Sequence, residues 1–95
     1  MTEKQRELAR HALGLPNKTR TSYRNHFCAG AEHSDYPEWV AMVEQGDAIH
    51  REGSVLSGGD DWFWLTDKGA MAALLPREKL STEDFPATKR SLDTK

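Results

Sequence analysis

Gly46-Asp47-Ala48-Ile49-His50-Arg51, followed after a nine-residue gap by Asp61-Trp62-Phe63-Trp64-Leu65-Thr66-Asp67-Lys68-Gly69, is the stretch from which the fold can be read. Ala48 to Arg51 and Asp61 to Leu65 each alternate between apolar and polar or aromatic positions, the period of a strand with one buried face. The gap from Glu52 to Asp60 holds three Gly, so the two runs read as a hairpin with a flexible tip. Thr66 or Asp67 then caps a helix through Ala70, Met71, Ala73, Leu74 and Leu75, which Pro76 ends.

Upstream of Gly46, Asp35 and Glu38 stand in capping-box relation and Pro37 occupies the first turn. Tyr36, Trp39, Val40 and Val43 share one apolar face, so a second helix is expected there, closed by Gly46. Nearer the N-terminus, Thr2 with Gln5 has the form of a capping box, and Leu8, Ala9, Ala12 and Leu13 recur at helical spacing. A first helix over about 2–13 follows, stopped by Gly14 and Pro16. Residues 17–34 are basic and polar around Tyr23 and Phe27 and fit either a short helix or an extended segment. Past Leu80 the apolar content falls to Phe85 and Leu92, so residues 81–95 read as a disordered tail behind a domain of 1–80. The expected class is α+β, with about three helices and a β-hairpin.

At 95 residues the chain can hide roughly 60–65% of the surface it exposes when unfolded, enough for one core and no large enclosed active site. No apolar run reaches the roughly 20 residues of a membrane-crossing helix. The first six residues lack the apolar stretch of a secretory signal. A cytoplasmic location is expected, and a lone Cys28 fits a reducing compartment. The net charge of −2 hides a polarity. Residues 1–30 hold six Lys and Arg against two Glu, whereas residues 31–65 hold one Arg against eight acidic residues. Such asymmetry bears on partners.

The run from Gly46 through Ile49 and Arg51 to Trp64-Leu65-Thr66-x-x-Gly69 resembles the winged-helix domain, over about residues 35–75. In that family the second wing strand runs into such a Leu-Thr-x-x-Gly segment. The resemblance implies a winged-helix-like architecture with Asp35 to Glu44 as the recognition helix. It departs from a DNA-binding member in charge: Glu38, Ala41, Glu44 and Gln45 line the outward side of that helix without Lys or Arg, and Asp60 and Asp61 sit in the wing. Phosphate contacts dominate nucleic-acid affinity, so such a face would be repelled. The chain is also similar to small proteins of tailed phages and prophages through Tyr23-Arg24-Asn25-His26-Phe27 and Leu56-Ser57-Gly58-Gly59-Asp60-Asp61, which implies a phage origin.

Chemistry finds little support. His26, Cys28, His33 and Asp35 include zinc-ligand types, but the spacing lacks a second ligand pair. Cys28 and His26, two apart, point apart on a helix, and Asp60 and Asp61 fall on opposite sides of a strand. Leu56 to Asp60 is similar to the signature loop of transport ATPases, yet no phosphate loop accompanies it. No catalytic residue, metal or cofactor is expected, and His11 and His50 read as surface residues. If Leu65 faces the core then Phe63 does too, and Trp62 and Trp64 occupy the other face. The leading expectation is therefore a non-enzymatic, phage-encoded regulator or inhibitor that binds a host or phage protein through Glu38, Glu44, Asp60, Asp61, Trp62 and Trp64, an acidic DNA-mimic-like face. The alternative is a DNA-binding regulator using Arg6, Arg10, Lys18, Arg20, Tyr23, Arg24, Asn25 and His26. A virion or assembly component is a third.

Overall fold

A computed structural model describes residues 1–53 and 59–86. Its elements run α1 (Glu3–Leu13), β1 (Phe27–Ala29), α2 (Tyr36–Glu44), β2 (Ala48–Arg51), β3 (Asp61–Leu65) and α3 (Asp67–Ala73). The class is α+β. The capping box of α1 forms as its residues imply. Thr2 Oγ1 accepts from Gln5 N at 3.1 Å and Gln5 Oε1 accepts from Thr2 N at 3.0 Å, while Gly14, at φ 81°, takes the left-handed exit.

The hairpin gains a third strand from residues 17–34. The sheet is antiparallel in the order β1-β3-β2, with Phe27 opposite Phe63 and Ala48 opposite Leu65. Three residues are too few to show a period, which is why β1 is silent in the sequence. Its pairing is extended by a side chain: Asn25 Nδ2 donates to Leu65 O at 3.0 Å and Asn25 Oδ1 accepts from Leu65 N at 2.8 Å. The helices cover the face that carries Phe63 and Leu65. There Trp39, fully buried, lies between Phe27 and Phe63 at ring separations of 5.2 and 5.5 Å, with Met42, Leu13 and Ala70 around it. These rings are among the largest apolar groups that the core takes out of water.

Three expectations need correction. Asp35 does not cap α2 with its side chain, because its backbone is already helical. Its carboxylate faces Lys4 Nζ at 3.5 Å instead, and Glu38 takes a hydrogen bond from Gln5 Nε2. Helix α3 ends at Ala73, before the expected Leu75, since Leu74 is extended and the Ala73 carbonyl is claimed by Arg10. Residues 81–86, expected to belong to a disordered tail, are packed on the domain. Phe85 is 2% exposed inside the core, and Ser81 N donates to Ser22 Oγ at 2.7 Å. Residues 87–95, and residues 54–58 of the hairpin tip, lie outside the described residues.

The Leu65-Thr66-x-x-Gly69 segment acquires a structural explanation. Thr66 Oγ1 accepts from Gly69 N at 3.1 Å, capping α3, and donates to Gly46 O at 2.8 Å. Thr66 N donates to Asp47 O at 3.1 Å, and Lys68 Nζ reaches Gln45 O at 2.7 Å. Gly69 sits so close to this corner that a Cβ there would lie 1.9 Å from the Asp47 carbonyl oxygen. Only hydrogen fits. Gly69→Ala is therefore expected to destabilise the domain by about 2–3 kcal/mol, through backbone displacement that no rotamer relieves. Thermal unfolding followed by circular dichroism checks this, with a fall in Tm of roughly 10 °C or more expected for a chain of this size.

Candidate functional site

The period of two along β3 divides its side chains as expected: Phe63 and Leu65 are buried, while Trp62 and Trp64 lie on the opposite face and are half-buried. Strand pairing then assembles a surface around the two indoles. Cys28 and Arg51 stand opposite Trp62, from β1 and β2, and Ile49 stands opposite Trp64. Ile49 is 42% exposed, and Cys28 and Arg51 are exposed too. The His26 ring tilts against Trp62 at 5.7 Å. Asp60, just before β3, sits against Gly30, where a Cβ would approach its Oδ1 to 2.8 Å. Partial desolvation of Cys28 and, second, the charge of Asp60 push its thiol pKa up, so this cysteine stays protonated and weakly nucleophilic near neutrality.

The six residues expected to form one acidic and aromatic contact surface are separated by the fold. Trp62, Trp64 and Asp60 border the open face. Asp61 turns the other way and ties three elements together: Oδ2 takes hydrogen bonds from Tyr36 Oη at 2.8 Å and His50 Nε2 at 2.6 Å, and Oδ1 accepts from Gly53 N at 2.8 Å. His50, read from sequence as a surface residue without a role, completes this clamp and stacks on Phe63 at 4.8 Å. The hydrogen bonds from His50, Tyr36 and Gly53 hold the Asp61 carboxyl below the usual carboxylate range. The hydrogen bond that Tyr36 donates to Asp61 in turn raises its phenol pKa, with partial desolvation second. Glu38 is held by Gln5, and Glu44 is exposed at the end of α2.

The basic set is divided as well. Arg10 forms a two-pronged ion pair with Glu78, its Nη2 lying 2.7 Å from Oε2 and its Nη1 on Oε1, and Nη1 also donates to Ala73 O at 3.1 Å. The two side chains are only 11% and 8% exposed, so Arg10 is a brace between α1 and the segment after α3. It holds the Glu78 carboxyl below its ordinary value. Asn25 is occupied by Leu65, and Arg24 donates to His11 O while lying 5.4 Å above the Tyr23 ring. Arg6, Lys18 and Arg20 are exposed, and Tyr23 is 63% exposed. His26 belongs to the Trp62 surface.

Ile49, Cys28 and Arg51 were not legible as site residues. The parity of Ile49 and Arg51 within 48–51 is a signal that they share a face, but only the register reveals that Trp62 and Trp64 share it with them. Among the described residues no group of three or more His, Cys, Asp or Glu is placed to hold a metal ion. His33 turns to Asp35, accepting from its N–H at Nδ1, away from His26 and Cys28 on the sheet. A groove of about 470 Å³ between α3 and residues 78–83 is lined by Met71, Leu74 and Leu80, and the charge at its base, Glu78, already has Arg10. Comparison with protein-family models, with curated proteins and with solved structures gives no match.

The two depressed carboxylates set the acid limit of the domain. Each contributes stability that is complete above its unfolded value and is lost as pH falls through its lowered folded value. Thermal stability is expected to be level between about pH 5 and 7 and to drop steeply below about pH 4. Asp61→Asn is expected to flatten that acid limb, which melting curves across the pH range measure directly. Glu78→Gln strands the Arg10 guanidinium in a largely enclosed site and is expected to remove about 3 kcal/mol at neutral pH, as read by urea denaturation.

Proposed function

We propose that the chain is a binding module, without catalytic chemistry of its own, whose contact surface is the open face of the sheet and whose partner is a protein. The observation that carries this reading is the placement of Trp62 and Trp64, side by side on the sheet face that no helix covers among the described residues, with exposed Ile49 beside them. Trp and Arg are the residues that most often dominate the energy of protein interfaces. An aromatic and aliphatic centre with a mixed polar rim, here Arg51, His26 and Asp60, is the usual anatomy of such a contact. This reading is preferred to the expected acidic, DNA-mimic-like face because Asp61 and Glu38 are hydrogen-bonded to other side chains of the chain. We read the architecture as winged-helix-like on the order α2, β2, β3, α3 and the corner built by Thr66 and Gly69. In the phage setting that the sequence resemblance implies, the partner is a host protein.

A second reading has an observation of its own. Tyr23 is largely exposed beneath the Arg24 guanidinium, and the chain crossing at Thr21 and Lys79 brings Lys79 next to exposed Arg20. That cationic and aromatic patch, reduced from the expected set by Arg10 and Asn25 and enlarged by Lys79, suits a phosphate backbone.

A photo-crosslinking amino acid, p-benzoylphenylalanine, placed at Ile49 and separately at Lys18 in cells that make the protein, separates the two. A discrete protein adduct from position 49, lost in Trp62→Ala/Trp64→Ala, is the expected result. Adducts to nucleic acid from position 18, with none to protein from position 49, overturn the proposal in favour of the second reading.

A further inference from the structure

The sheet has a second open feature besides its face. In the order β1-β3-β2, β2 is an edge strand, and among the described residues no backbone hydrogen bond covers its outer row of N–H and C=O groups. Natural proteins usually protect such an edge with Lys, Pro, a bulge or a covering loop, because an unpaired row is a template for another strand. Ala48-Ile49-His50-Arg51 has no Pro or Lys and pairs with β3 in unbroken register. Its residues from Ile49 onward are exposed. The opposite edge differs: beside β1, the segment leading into it is tied to α1 by His26 N donating to Ala12 O, and the Phe27 ring lies against His11.

We infer that the partner engages β2 as an added strand, so that an extended segment continues the sheet and lays its alternate side chains on the Trp62/Trp64 face. This rests on the reading of that face as the contact surface and specifies how it is used. Backbone pairing gives such strand addition its affinity, and the pockets for alternate side chains give it selectivity. The chemistry of the occupant follows from the cross-strand neighbours. A residue opposite Ile49 lies in the row of Trp64 and is apolar. Two positions away, the residue opposite Arg51 lies in the row of Trp62 and is acidic, since among the described residues Arg51 has no ion-pair partner. Asp61, the acid within β3, points to the other face and is held there by Tyr36, His50 and Gly53. The occupant is thus an extended peptide with an apolar residue and an acidic residue in alternate positions.

A random-peptide display library selected on the immobilised full chain supplies the probe. The expected winners carry an apolar-x-acidic pattern and slow hydrogen exchange of the outward amides of β2 by at least about tenfold. They should lose about tenfold in affinity against Arg51→Glu, a surface change that leaves the circular dichroism spectrum intact, and recover when the acidic residue of the peptide is changed to Lys. Winners that need Trp62 and Trp64 but protect no β2 amide and ignore Arg51→Glu overturn strand addition while leaving the contact face in place. Winners indifferent to Trp62→Ala/Trp64→Ala and to Arg51→Glu overturn both. Self-association of the chain that Arg51→Glu abolishes also overturns the peptide assignment, in favour of a second copy at the same edge.

Discussion

Helix α3 meets the corner between α2 and β2 with no side chain between the two backbones. Gly69 is pressed against the Asp47 carbonyl, and Thr66 ties the start of α3 to Gly46 and Asp47. The other elements are placed through this contact. It fixes where β3 ends and the direction in which α3 leaves the sheet. Helix α1 then packs along α3, and the Arg10 brace reaches Ala73 and Glu78 from there. A corner held by close backbone approach is less tolerant than one held by side chains, since backbone atoms cannot adopt another rotamer to make room.

Around that corner, charge serves the fold more than the surface. Asp61 and Glu78 would be read from the sequence as two of many exposed acids. Each is the hub of a polar junction, one joining α2, β2 and the hairpin stem, the other joining α1 to the segment beyond α3. Asp47 is buried as well, at 4% exposure, with Lys68 Nζ 3.6 Å from its carboxylate. A block of like charge along a sequence is therefore a poor guide to a field in space. A carboxylate that gains two or three hydrogen bonds on folding is drawn inward, and its charge is neutralised locally.

Among the described residues the three helices pack on one side of the three-stranded sheet, and none lies on the other. That other side carries two half-buried indoles and an exposed isoleucine beside the edge strand β2. The proposed contact uses this apolar area, because large aromatic side chains gain most from leaving water.

Much of this was legible in the residues. Capping residues, glycine exits and apolar periods located α1, α2, β2, β3 and α3, because those signals act within a few positions along the chain. The period of two also assigned Phe63 and Leu65 to the core and Trp62 and Trp64 to the other face. Strand β1 was not legible, since three residues carry no period and their pairing is non-local. Nor was the packing of residues 81–86, which depends on Phe85 entering a core formed by distant elements. The composition of the open face was hidden for the same reason: Cys28, Ile49 and Arg51 join the two tryptophans only through strand register. The local elements and the side on which each tryptophan lies could be read along the chain, because hydrogen-bond caps and side-chain alternation are short-range. Which charges are internal braces and which residues share a surface emerges on folding alone, because both depend on long-range pairing that no local pattern encodes.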